Sequence, residues 1–407
     1  MNKKVNNIIK YSASLLAFGL LFTFFSSFGQ TFLLSLYVPS IEDFLQISNT
    51  EFGTIYAVAT TGSALTLPWA GGFFDKIETK YYSLLVILGL TGALLLLSFS
   101  YHVIMVVIGF YLLRLFGQGL MTHTSVSSMA RYFSTGRGRA IGTASLGHPL
   151  GEAVLPLLIT LLIGSIGWRG ALQVSALSCI LIVAPVALLL LNYSKTRIRA
   201  YKMQTYTSSK GQRTISKAAI LKDKRFWIVT PVVFMVGFTN TAIFFFQLKL
   251  GDAKGWSPEW VAASISAFAI ANATGMIGIG SFVDRFSGKK LFPYYMISYL
   301  LGLPALVIFN HPAVYPIALA FMGLGHGAGR TIKDSMLAEI YGSEIIGQVR
   351  SIFTTVMVIS TALGPVTFGI LLDLEVSFSL IFAGVSVAVL FATLNGLRQI
   401  QPFDLNR

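Results

Sequence analysis

The strongest constraint on this chain is a series of apolar runs, each bounded by charge, Gly or Pro. They fall at residues 12–38, 52–73, 81–100, 103–130, 140–163, 169–192, 226–248, 258–282, 291–309, 313–336, 346–371 and 376–396. A helix rises about 1.5 Å per residue and bilayer hydrocarbon is about 30 Å thick, so about 20 apolar residues make one crossing. Backbone groups in lipid must bond within their own segment, so the runs are predicted as helices rather than strands. The expected fold class is an all-α polytopic membrane protein with twelve transmembrane helices in two six-helix bundles. Composition agrees. Only 11% of the residues are charged and mean hydropathy is +0.72, whereas a soluble domain carries about a quarter charged residues.

The predicted divisions are a short N-terminal segment (1–11), a first bundle (12–192), a polar linker (193–225), a second bundle (226–397) and a tail (398–407). The opening Met1–Lys10 followed by apolar residues has the outline of a secretion signal. Its run continues through Phe32, Leu33 and Leu34 to Tyr37, too long for a signal core, and no small-x-small cleavage site precedes it. It is read as the first span.

The net charge of +14 would suit a nucleic-acid partner if it were clustered, but it is spread over several short loops. With the N-terminus, every second loop and the C-terminus on one side, that side holds Lys3, Lys4, Lys10, Lys76, Lys80, Arg131, Arg137, Arg139, Arg285, Lys289, Lys290 and Arg350. It also holds the basic residues of the linker. The other side holds Arg169, Lys249 and Lys254 with Glu42, Asp43, Glu51 and Glu259. The positive-inside bias then predicts cytoplasmic termini in the inner membrane of a bacterium, with attraction to anionic headgroups as a by-product. No nucleic-acid partner is expected, and the linker is read as a tether. Cys179, the only cysteine, lies in an apolar run and is read as a core residue.

The halves repeat one another. Gly71-Gly72-Phe73-Phe74-Asp75-Lys76 recurs as Gly280-Ser281-Phe282-Val283-Asp284-Arg285, 209 residues on. Gly117-Gln118-Gly119 with Met129-Ala130-Arg131-Tyr132-Phe133 matches Gly325-His326-Gly327 with Leu337-Ala338-Glu339-Ile340-Tyr341 at an offset of 208. One bundle written twice is a common way to build a central solute site.

Twelve spans in two sixes, a polar central loop and Gly-x-x-x-Asp-Lys/Arg after spans two and eight resemble the major facilitator superfamily over residues 12–396. The resemblance implies secondary transport by alternating access. It also implies close helix packing at Gly71 and Gly280, and a cytoplasmic latch from Asp75, Lys76, Asp284 and Arg285. Arg131 and Arg350 on the same face are candidate partners, because charge pairs at a membrane boundary can form in one state and break in another. The first copy departs from the family pattern at Glu78 and Thr79, and the second carries one extra residue before Gly288-Lys289-Lys290. Arg114-Leu115-Phe116-Gly117-Gln118-Gly119 is similar to the family's Arg-x-x-Gln-Gly signature, displaced by one. Trp168-Arg169 and the stretch from Glu339 to Ser351 are similar to loops of bacterial organic-anion and monocarboxylate carriers.

Ionisable groups inside spans cost a few kcal/mol each on insertion scales and so mark function. Counting at about 1.5 Å per residue puts Arg114 about 16 Å below the outer face and Glu152 about 12 Å below it. The two can pair, and a motion that separates them would favour protonation of Glu152. Proton coupling through Glu152 with His148 one turn away is therefore an expectation, and a static ion pair is its rival. His148 and Glu152 lack a third metal ligand, so no metal is expected. His326, Arg330 and Asp334 share a helix face. Arg114 and Arg330, with Gln30, Tyr56, Asn240, Gln247 and Asn272, are the candidate substrate-binding groups. Buried arginines favour a small anion such as a carboxylate, while 32 Phe keep a proton-antiporting exporter of hydrophobic drugs open. A non-transporting receptor or an intramembrane enzyme is the remote alternative: no nucleophile–base pair, P-loop or dinucleotide fingerprint occurs in a convincing context. The chain is read as a non-enzyme without cofactor, acting as a monomer on a small molecule and protons.

Overall fold

The structure, a computed structural model, describes residues 3–133, 136–194, 217–342 and 345–398. Most of the expected linker and residues 399–407 of the expected tail lie outside the described residues. Every predicted run is mostly helical, and no strand occurs among the described residues. The helices are α1 (Lys3–Phe25), α2 (Asn49–Gly72), α3 (Thr79–Ser98), α4 (Val103–Tyr132), α5 (Gly147–Ser178) and α6 (Ala184–Tyr193). The second set is α7 (Lys224–Phe245), α8 (Pro258–Gly278), α9 (Ile297–Ile308), α10 (Val314–Tyr341), α11 (Ile346–Asp373) and α12 (Phe378–Gly396).

Boundaries follow local chemistry. Ser257 accepts from Trp260 N at the start of α8, with Pro258 in its first turn. Asp223 caps α7 by accepting from Arg225 N, and Ser377 caps α12 by accepting from Leu380 N. Each cap satisfies an amide that the helix cannot. α5 breaks at Gly167, which takes φ 73°, a conformation open to a residue without Cβ. The break separates the fifth predicted run from the sixth, and α6 completes the sixth. Among the described residues, eight helices are long and apolar enough to cross a membrane, or nine with the bent pair Ala13–Gly29 and Thr31–Leu45. Those eight include the 57-residue stretch Arg137–Tyr193, which is long enough for two crossings.

Contacts divide the chain into two compact units, Met1–Gln46 with Val58–Ser209, and Ile47–Ala57 with Lys210–Arg407. The predicted bundles differ from these units at one place: the first turns of α2 group with the second unit. Asp373, at the end of α11, accepts hydrogen bonds from Asn49 N at 3.2 Å, Asn49 Nδ2 at 2.6 Å and Thr50 N at 2.8 Å. Its negative charge sits on the positive end of α2. Lys249 Nζ donates to Asn49 Oδ1, and the rings of Phe52 and Tyr56 lie 5.8 and 4.9 Å from that of Phe245.

Candidate functional site

In the first unit the site is organised by a fault in the first span. Residues 12–38 were expected as one helix. Instead α1 stops at Phe25, a 3-10 turn covers Ser26–Gly29, and Gln30 is extended with ψ 150°. The pieces on either side differ in direction by 47°. Two causes are local. Ser26 Oγ donates to Thr23 O at 2.6 Å, so a side chain bonds backbone that regular helix would use. Gly29 and Gly117 press together so closely that a Cβ on Gly117 would lie 2.7 Å from Gly29 Cα. The facing part of α4, Leu113–Met121, is wound as π-helix, a rare geometry often found at functional sites.

This fault gathers four of the predicted residues. Arg114, in the π segment and 4% exposed, donates from Nη1 to Gly29 O and Thr31 Oγ1, both at 3.3 Å. Gln30, half-buried, lies between those two acceptors in sequence. On α5, Gly151 sits where a Cβ would meet Phe24 O at 2.8 Å, and its neighbour Glu152 is buried. His148, a turn earlier, meets the ring of Phe32 edge-on at 5.9 Å. Arg114, Gln30, Glu152 and His148 thus border one non-helical hinge.

In the second unit, Asn240 on α7 contacts Tyr299 on α9 and His326 on α10. Asn240 Nδ2 donates to Tyr299 Oη and to His326 Nδ1, each at 2.9 Å, and Tyr299 Oη donates back to Asn240 Oδ1 at 3.2 Å. His326 was expected only as a member of the α10 stripe, and Tyr299 was missed. No spacing rule connects residues 59 and 86 apart. Arg330, the next turn of that stripe, is exposed. A guanidinium turned to lipid at that position would be disfavoured by a few kcal/mol, which favours polar surroundings for this face of α10. The remaining candidates are packed away from it. Tyr56 is fully buried against Phe245, Gln247 is fully buried, and Asn272 is 5% exposed with its carbonyl against Gly327.

The two copies of the loop motif differ. In the first, Arg131 pairs with Asp75, donates to Phe74 O at 3.3 Å and stacks 4.1 Å from the Phe74 ring centroid. Gly71 packs against His123, while Lys76 lies 5.5 Å over the Phe73 ring. In the second, Arg350 pairs with Asp334 at 3.4 Å. Asp284 is exposed, with no ion pair among the described residues, Arg285 lies over Phe286, and Gly280 has open space where Gly71 has His123. In this structure Asp284 thus lacks the basic partner that Asp75 has. The cause is readable in the repeat: Glu339 occupies the position of Arg131. Unable to pair with Asp284, Glu339 accepts from Gly288 N at 2.7 Å and Lys289 N at 3.2 Å. Among the described residues, no group of three or more His, Cys, Asp or Glu is placed to hold a metal.

The family model for the Major Facilitator Superfamily matches residues 19–365 and, again, 232–399. The chain belongs to the Major Facilitator Superfamily. Its similarity to superfamily members runs almost end to end. It is 23% identical over 406 residues to the hexuronate transporter of Bacillus subtilis (strain 168), covering 91% of this chain and 90% of that one. It is 22% identical over 360 residues to multidrug resistance protein 2 of the same organism, covering 85% and 86%. The crystal structure of the nucleoside transporter NupG superposes with a TM-score of 0.73 at 14% identity, covering 96% of this chain and 99% of that one. That last likeness is one of fold. The chain is thus a multi-pass membrane transporter of the superfamily.

Proposed function

We propose that this superfamily member moves a small organic anion, a carboxylate above all, by alternating access. The observation that carries the reading is on α10, where Arg330 stands exposed one turn from half-buried His326. A fixed cation in a low-dielectric pathway attracts a carboxylate strongly and repels cationic solutes. Arg114, held at the hinge of the first span, is the second positive group, and the similarity to a hexuronate transporter supports a carboxylate cargo. Both termini are assigned to the cytoplasm by the charge bias, in the inner membrane of a bacterium, with the protein acting as a monomer. The Arg131–Asp75 and Arg350–Asp334 pairs are assigned to the cytoplasmic gate.

Coupling is assigned to protons through Glu152. Buried at the hinge, its carboxyl gains a proton when its surroundings lose positive charge. Uptake by reconstituted protein tests the whole reading with a panel of D-glucuronate, other hexuronates and short monocarboxylates, with and without an inward proton gradient. We expect saturable uptake of at least one anion, stimulated by the gradient. Arg330→Ala and Arg114→Ala each weaken apparent affinity by about tenfold or more, the value of a lost charge-assisted hydrogen bond. Glu152→Gln removes the gradient dependence, and a variant that keeps it would retire Glu152 from coupling.

The second reading, drug export, has one structural observation in its favour. Phe234 and Phe238 are half-exposed and stacked at 5.9 Å, and Phe238 continues to Phe368 at 6.1 Å, a surface suited to flat hydrophobic solutes. Dye efflux without anion uptake would select it.

A further inference from the structure

Towards its C-terminal end, α10 gathers positive charge on one side. The opposite side is marked by Ile317, Phe321 and Leu324, which are exposed and recur at helical spacing, so this is the side that meets lipid. A helix turns about 100° per residue. His326, Arg330 and Lys333, at i, i+4 and i+7, therefore lie together on the side away from those apolar residues. The bond from Asn240 on α7 to His326 shows that this side is turned into the second unit.

Lys333 is half-buried rather than extended into solvent. It stands within electrostatic reach of Arg330, Asp334 and Arg350, so three basic groups share one acid. That acid is committed, because Asp334 pairs with Arg350 at 3.4 Å. Glu339, further along α10, is committed too, to the amides of Gly288 and Lys289. Among the described residues neither Arg330 nor Lys333 forms an ion pair. Like charges one helical turn apart repel each other, and the repulsion grows where water is partly excluded. Two uncompensated cations are costly in a membrane-spanning helix and mark a solute pathway; an anion lying between them offsets that cost.

We infer that Arg330 and Lys333 together form a two-cation site for a solute carrying two negative charges, a dicarboxylate above all. This rests on the anion-transport reading and narrows it. With Asp334 spent on Arg350, the charge left on this side of α10 is that of Arg330 and Lys333. A monocarboxylate compensates one of the two and leaves the other facing a like charge. A dicarboxylate compensates both. Lys333, which the hydropathy pattern places near a membrane boundary, becomes the residue that sets the charge of the solute, while Asp334 keeps Arg350 from adding a third cation.

Melting temperature of the detergent-solubilised protein, titrated at constant ionic strength, reads binding without any transport. Two pairs of anions are compared, D-glucuronate with D-glucarate and butyrate with succinate; the members of a pair have equal carbon number and differ in carboxylate count. In at least one pair we expect the dianion to bind about tenfold more tightly, the value of one added charge-assisted contact. Lys333→Gln should bring that ratio close to one, and Lys333→Arg should keep it. Removing two positive charges elsewhere, with Lys222→Gln and Lys224→Gln at exposed positions, should leave the ratio as it is. A ratio near one in the natural protein, a ratio preserved in Lys333→Gln, or one lost with Lys222 and Lys224 overturns the two-cation site. Binding of monocarboxylates with no preference for dianions overturns this inference alone. Binding of none of the four anions overturns it together with the carboxylate reading. If Lys333→Gln does not elute as the natural protein does, Lys333→Met, which keeps the length of the aliphatic chain, decides in its place.

Discussion

Single side chains here act mainly by being held on backbone. Arg114 donates to the Gly29 carbonyl and to the Thr31 hydroxyl at the broken helix, Glu339 closes a turn through two amides, and Asp373 closes the first turn of α2. The last makes a direct prediction. N-cap residues contribute about 0.5–2 kcal/mol, and the carboxylate adds a favourable charge on the helix dipole. Asp373→Ala should therefore speed amide exchange across Asn49–Phe52 by about tenfold, roughly 1.4 kcal/mol, as read by hydrogen–deuterium exchange mass spectrometry. Rates unchanged in that segment would show that Phe52 and Tyr56 hold the turn unaided. Lys254 shows the same habit at another boundary, donating to Leu306 O at 2.8 Å and to Asn310 Oδ1 at 2.6 Å. Partial burial pushes its pKa below the usual lysine value.

Helices meet closely where glycine faces glycine or backbone, and those contacts set the register of the site. The Gly29–Gly117 contact lets the π segment of α4 reach the hinge of the first span, and through it places Arg114. Adding one methyl at Gly117 must push these backbones apart, and overpacking of this kind costs about 1–3 kcal/mol. Gly117→Ala should lower the melting temperature in detergent and reduce anion uptake more strongly than it reduces folded yield. Full uptake in that variant would mean that Arg114 holds its place without the close approach. A similarly close contact in the second unit is Gly327 on Asn272, where α10 is seated against α8.

At the scale of the molecule, the charge bias predicts which ends face the cytoplasm. With Cys179→Ala as background, Glu259→Cys should react with a membrane-impermeant maleimide in intact bacteria, and Lys290→Cys only after lysis. Both positions are exposed, so the reverse pattern would invert the topology. The sequence determined the helices, because apolar length in lipid admits no other regular structure. It also determined the doubling, since the matched motifs stand at offsets of 208 and 209 residues, and even the charge swap between Arg131 and Glu339 that separates the two loop copies. It did not determine the hinge at Ser26–Gln30, whose residues read as a continuation of the first span, nor the π winding of α4. It did not assign the start of α2 to the second unit, because Asp373 and Asn49 are far apart in the chain. Nor did it reveal that Asn240 spends its amide on Tyr299 and His326. Hydropathy and periodicity report what each segment does against lipid. Which polar group meets which across helices depends on register, and register is set by close backbone contacts that exist only once the helices have packed.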